Sequence, residues 1–117
     1  MTYMFEGDRN AFLKLLSENR GVMIFKYTAD WCKPCQSIKT EVDAHFKKIT
    51  GPTVLCFEVN IDECFDLFSF MKTKKMIKGI PTLMAYKKGN TSFVPDDSIS
   101  GADIGDVNSF FERCTKM

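Results

Sequence analysis

Two cysteines, Cys32 and Cys35, stand three apart in the stretch Trp31-Cys32-Lys33-Pro34-Cys35. Thiols at this spacing can share a metal ion, close a short structural disulfide, or exchange electrons with another disulfide. Zinc needs four ligands, usually two such pairs or one pair with histidines. This chain has one C-x-x-C and one histidine, His45, and its other cysteines, Cys56, Cys64 and Cys114, show no paired spacing. A structural staple gains little here, because closing so short a loop restricts the unfolded chain least. Redox exchange fits the surroundings better. Cys32 falls where a strand ends and a helix begins, and the first N–H groups of a helix have no intrahelical acceptors. Together with the helix dipole they stabilise a thiolate by about 0.3–1 kcal/mol. Lys33 adds a positive charge next to it. An ordinary cysteine is only about 3% thiolate at pH 7, and the thiolate is the attacking species. Cys35 lies on the same helix face and is placed to attack a mixed disulfide formed at Cys32. Pro34 stiffens the turn, and Trp31 offers a flat apolar surface beside the sulfur.

The elements that must position this pair follow from pattern. Asp8 is suited to N-cap a helix with Phe12, Leu15 and Leu16 on one face, ended by Asn19-Arg20-Gly21. The run from Gly21 to Ala29 reads as a strand buried on both faces, as in a parallel sheet between helices. A single helix is expected from Pro34 to Ile49, with Ile38, Val42 and Phe46 inward and His45 on the surface. A second buried strand follows the Gly51-Pro52 turn, and a third helix covers Glu63 to Lys74, with Phe65, Phe68, Phe70 and Met71 read as core. Residues 81–89 form a strand, and residues 90–100 hold one or two short edge strands, since Pro95 cannot donate to a ladder. A last helix starts near Asp103 and Asp106, with Val107, Phe110 and Phe111 on its apolar side. The expected architecture is one α/β domain over residues 1–117, a mixed central β-sheet flanked by about four helices.

Composition narrows the function. The 117 residues carry a formal net charge of +1, which gives no footprint for nucleic acid and no bulk attraction to membranes. No apolar run approaches the roughly 18 residues of a membrane span. Glu6, Asp8 and Arg9 interrupt the N-terminus where a signal peptide needs an apolar stretch, so a cytoplasmic setting is expected. Five cysteines with a single close pair also suit a reducing compartment. Cys64 is a candidate regulatory thiol, while Cys56 and Cys114 read as inert core residues, and Lys72 to Lys75 as a solvated helix end.

Trp31-Cys32-Lys33-Pro34-Cys35, Val59-Asn60-Ile61-Asp62 and Gly79-Ile80-Pro81-Thr82 together closely resemble the thioredoxin family. The resemblance covers nearly the whole chain in element order and implies a thioredoxin fold. It makes Cys32 the nucleophile and Cys35 the resolving thiol of a redox-active disulfide. A pKa of about 7, characteristic of thioredoxins, makes the nucleophile half thiolate at neutral pH. By the same resemblance Pro81 is the family's cis-proline, and Trp31, Lys33, Pro34, Ile80, Pro81 and Gly101 line the substrate groove.

The chain departs from the family in four places. Lys33 replaces the usual glycine; its charge is expected to make the pair more oxidising by tens of millivolts at most, or else simply to point into water. Lys26 stands where a buried aspartate is usual, and Glu58 where a lysine is usual. A Lys26–Glu58 ion pair beneath Cys35 is expected, moving the resolving thiol's proton or tuning its pKa; the plainer reading has both residues leaning outward at the sheet margin. The segment between Asn60 and Pro81 and the hairpin after Gly89 are both longer than usual, where a partner surface could differ; the plainer reading is tolerated loop growth.

The activity these residues imply is reduction of protein disulfides, with a reductase restoring the dithiol, and neither a bound cofactor nor a metal. Two alternatives are a more oxidising oxidase or isomerase, and a binding module whose redox chemistry is incidental.

Overall fold

The structure, a computed structural model, describes residues 2–117. It opens with a strand that the apolar pattern does not announce, β1 (Thr2–Met4). Its three side chains are all exposed; backbone pairing, the Tyr3 ring at 5.7 Å from Phe57 and the buried Phe5 that follows hold it at the sheet edge. In α1 (Arg9–Ser17) the Asp8 carboxylate accepts the Asn10 and Ala11 N–H groups, and Phe12 and Leu16 turn inward while Leu15 is half-buried. Asn19 does more than end the helix: its buried amide donates to the Tyr86 carbonyl and accepts the Gly21 N–H. A side chain at Gly21 would collide with the Thr53 carbonyl.

Strand β2 (Val22–Thr28) is buried at every position, including Lys26, the one charge in its apolar run. Met23, Phe25 and Tyr27 face one cluster, and Val22 and Ile24 the other.

The expected single helix after the cysteine motif is two helices, α2 (Lys33–Ser37) and α3 (Lys39–Ile49). Ile38 between them leaves helical geometry at φ −106° and ψ 0°. In a continuous helix the Ile38 N–H would bond to the Pro34 carbonyl; here the Ser37 hydroxyl donates to that carbonyl at 2.7 Å. Ile38 itself is buried, as are Val42 and Phe46. His45, expected on the surface, is half-buried, stacked on Phe111 at 4.5 Å and bonded to Asn108.

The remaining elements are β3 (Val54–Asn60), α4 (Phe65–Thr73), β4 (Thr82–Lys87), β5 (Asp97–Ser100) and α5 (Ile104–Cys114). Among the described residues there are thus five strands and five helices rather than about four, and residues 90–100 contribute one edge strand. The sheet runs β1-β3-β2-β4-β5, with β1, β3 and β2 parallel and β4 and β5 antiparallel to their neighbours. Phe12, Leu16, Leu67 and Met71, from α1 and α4, cover one face; Val42, Phe46, Val107 and Phe110, from α3 and α5, cover the other.

The aromatic cluster expected to be core in α4 is only partly so. Met71 is buried and Phe68 and Phe70 are half-buried, but Phe65 is 71% exposed because it points opposite to Leu67 and Met71 on the helix. The two longer segments meet: Phe93 in the hairpin lies 4.5 Å from Phe70 and stacks on Phe12 at 5.9 Å, and the Tyr86 hydroxyl donates to the Phe93 carbonyl.

Candidate functional site

The chain leaves β2 through Ala29, and the Cys32 N–H donates back to the Ala29 carbonyl at 3.2 Å. That bond turns the backbone so that Cys32 becomes the N-cap of α2. Its sulfur then accepts the Cys35 N–H at 3.2 Å. This is an orphan helix-end donor satisfied by sulfur instead of oxygen, and it holds a negative charge on Cys32 better than a neutral thiol. Pro34 at the second helical position has no N–H to leave unpaired. Because the helix stops at Ile38, the dipole behind Cys32 is that of five residues; the local N–H carries most of the effect.

Cys32 and Cys35 are joined as a disulfide, with Cα atoms 5.2 Å apart. Cys32 is 4% exposed and Cys35 fully buried, so an incoming disulfide meets Cys32 first. The Ile80 carbonyl oxygen stands 3.9 Å from Cys32 Sγ. The Ile80–Pro81 peptide is cis. The Pro81 carbonyl accepts the Gly101 N–H at 2.9 Å, and Gly101 has φ +96°, a conformation that favours glycine. Ile80, Pro81 and Gly101 are thereby tied together next to Cys32. Trp31, Lys33 and Pro34 are exposed on its other flank.

Lys26 and Glu58 occupy paired positions of β2 and β3, with Nζ 4.0 Å from Oε1. The side chain of Lys26 is 2% exposed and that of Glu58 25%, so the lysine does not lean into water. Burial lowers the Lys26 pKa; Glu58, and then Asp43 on α3, oppose that shift. The alternation of β2 puts Lys26 on the face of Val22 and Ile24, under α3, whereas Cys35 packs in the cluster containing Tyr27 and Ala29. Among the described residues neither Lys26 nor Glu58 hydrogen-bonds Cys35.

Two contributors had no role assigned from the sequence. Asp62 accepts the Trp31 indole N–H at 2.9 Å and fixes the ring beside the motif. Gln36 donates to the Ala29 carbonyl at 3.3 Å and braces the same turn. The segment holding Asp62 was distinctive, but its contact is made across 31 residues of chain.

The remaining thiols are free and buried. Burial pushes Cys56 up to about 11 and Cys114 up to about 12. It also raises Cys64, whose Sγ approaches the Phe5 carbonyl at 3.4 Å, which does not suit a regulatory thiol. Among the described residues no group of three or more His, Cys, Asp or Glu could hold a metal ion, and no helix is long and apolar enough to cross a membrane.

A family model described as Thioredoxin matches residues 4–110. The chain is 32% identical over 84 residues to a thioredoxin of Pseudomonas aeruginosa, covering 72% of this chain and 73% of that one. It is 35% identical over 102 residues to a thioredoxin-like protein of Fusarium culmorum, covering 86% and 80% respectively. In structure it resembles the thioredoxin of Fasciola hepatica, with a TM-score of 0.72 and 26% identity over 95% of this chain and 97% of that one.

Proposed function

The chain belongs to the thioredoxin family and is a thiol-disulfide oxidoreductase, and on that premise we propose that it runs in the reducing direction on protein disulfides. The reducing direction is supported by the likeness to thioredoxins; the Cys35 N–H at 3.2 Å from Cys32 Sγ, a donor aimed at the sulfur that must bear negative charge, supports Cys32 as the attacking thiol. In the reduced protein the Cys32 thiolate attacks one sulfur of a substrate disulfide. The substrate S–S bond breaks, its other sulfur leaves as a thiolate and takes a proton, and a mixed disulfide forms at Cys32. Cys35 then loses its proton and attacks Cys32 Sγ. The mixed bond breaks, the second substrate thiol is released, and two electrons have passed to the substrate. The Cys32–Cys35 disulfide of the structure is the end state of this cycle.

A dithiol-donating reductase would restore the pair, and a reducing compartment such as the cytoplasm would sustain it. Ile80, Pro81 and Gly101 would form one wall of the substrate groove and Trp31, Lys33 and Pro34 the other. The Lys26–Glu58 pair would act on Cys35 through its field, since it makes no hydrogen bond to that thiol. The domain would span residues 1–117.

Reduction of insulin driven by dithiothreitol tests the reading. Wild type is expected to accelerate it, Cys32→Ser to abolish the acceleration, and Cys35→Ser to accumulate a mixed disulfide visible on a non-reducing gel. Full activity in Cys32→Ser would overturn it. Lys33, exposed beside the nucleophile, favours the more oxidising alternative; the reduction potential of the pair separates the two directions.

A further inference from the structure

Given that reductase reading, we infer that Phe65 is a substrate-docking residue, extending the surface beside Cys32 toward protein disulfides flanked by an apolar side chain. Phe65 is 71% exposed and Trp31 66% exposed, the two most exposed of the large hydrophobic residues. One turn links the two. The Trp31 indole is held by Asp62, and Phe65 follows three residues later. That places the two α-carbons of Asp62 and Phe65 within about 11 Å even if the chain were extended. The chain is not extended: the Asn60 carbonyl accepts the Glu63 and Cys64 N–H groups, and the Asn60 side chain accepts the Asp62 N–H. Ile61 ties the turn to the end of β2 by donating to the Thr28 carbonyl at 3.0 Å.

The neighbours of Phe65 hold it outward. Cys64 is 3% exposed, with its sulfur against the Phe5 carbonyl. Asp66 is gripped by Arg9 through three hydrogen bonds, from the backbone N–H at 2.9 Å, Nε at 3.1 Å and Nη2 at 2.9 Å. Phe65 cannot swing into the core without releasing one of these anchors. Leu67 and Met71, on the inward side of the same helix, are fully buried, so the fold gains from them what it forgoes at Phe65.

A large aromatic ring on a rigid backbone loses little freedom when a partner covers it, which is the property of an interface anchor. Asp62, three residues before it, holds the Trp31 indole, and Trp31 precedes the nucleophile in the chain. A protein partner covering about 800 Å² spans both rings. A disulfide of a few atoms reaches Cys32 without touching Phe65. The residue therefore discriminates between substrates without taking part in the exchange.

The test compares wild type, Phe65→Ser and Phe65→Leu on two substrates, insulin and bis(2-hydroxyethyl) disulfide. Phe65→Ser is expected to lower kcat/KM for insulin about tenfold, mainly through KM, and to leave the small disulfide unchanged. Phe65→Leu, apolar and similar in reach, is expected to recover most of the loss. An unchanged rate on insulin overturns the inference, and so does an equal fall on both substrates, which would mark a structural defect. A wild-type protein inert toward both disulfides overturns the reductase reading and this inference with it; a wild type active on both, with Phe65 immaterial, overturns this inference alone.

Discussion

Cys32 and Cys114 are almost equally hidden, at 4% and 3% exposed, yet they occupy opposite chemical situations. Cys114, on α5, packs in an apolar cluster with Phe110 and Phe111, where burial, reinforced by Asp97 and only weakly opposed by Arg113, drives its pKa to about 12. Cys32 caps a helix and receives an N–H at 3.2 Å. Low exposure alone makes a cysteine inert; low exposure plus an aimed donor makes one reactive and selective.

The largest expected effect bears on that contrast directly. Thiols with pKa values of about 11 and 12 are ionised to only about one part in 10⁴ and 10⁵ at pH 7. An unperturbed cysteine is about 3% ionised. Timed alkylation of the reduced native protein, read by peptide mass, should modify Cys32 at least roughly 10²-fold faster than Cys56 or Cys114. Comparable rates at all three would dissolve the distinction.

The next effect concerns a buried charge rather than a buried thiol. Burial holds the Lys26 pKa below its ordinary 10.5, so between the two values the folded state binds fewer protons than the unfolded chain. Stability from this site is therefore lowest below the folded pKa and rises as pH climbs through it. A Lys26→Met, Glu58→Gln double variant should flatten that alkaline rise and gain about 1–3 kcal/mol at pH 7 in urea denaturation. Glu58→Gln alone should slow insulin reduction about tenfold if the pair's field reaches the resolving thiol; unchanged kinetics would confine the pair to stability.

The smallest effect is at Lys33, which is exposed and so screened by solvent. Lys33→Gly should make the pair more reducing by no more than a few tens of millivolts, measured against a glutathione buffer. No change, or a shift the other way, would assign the asymmetry between Cys32 and the other thiols to the backbone donor alone.

Much of this contrast is legible in the residues. The apolar run of β2, charged only at Lys26, points to burial on both faces, and the spacing of Cys32, Pro34 and Cys35 points to a helix start. What escapes the sequence is decided by contacts across space. β1 has three exposed side chains and exists because β3 offers an unpaired edge. The break at Ile38 depends on one hydroxyl reaching the Pro34 carbonyl, a competition that periodicity does not register. Phe65 reads as core by residue type, but the anchoring of Cys64 and Asp66 turns it outward.

Phe93 meeting Phe70 carries a consequence for anyone transplanting parts of this protein. The hairpin carrying Phe93 and the helix carrying Phe70 are a lock and its bolt. Shortening the hairpin alone would strip the cover from α4, and trimming α4 alone would leave an aromatic ring hanging over Phe12. A chimera must carry both pieces or neither.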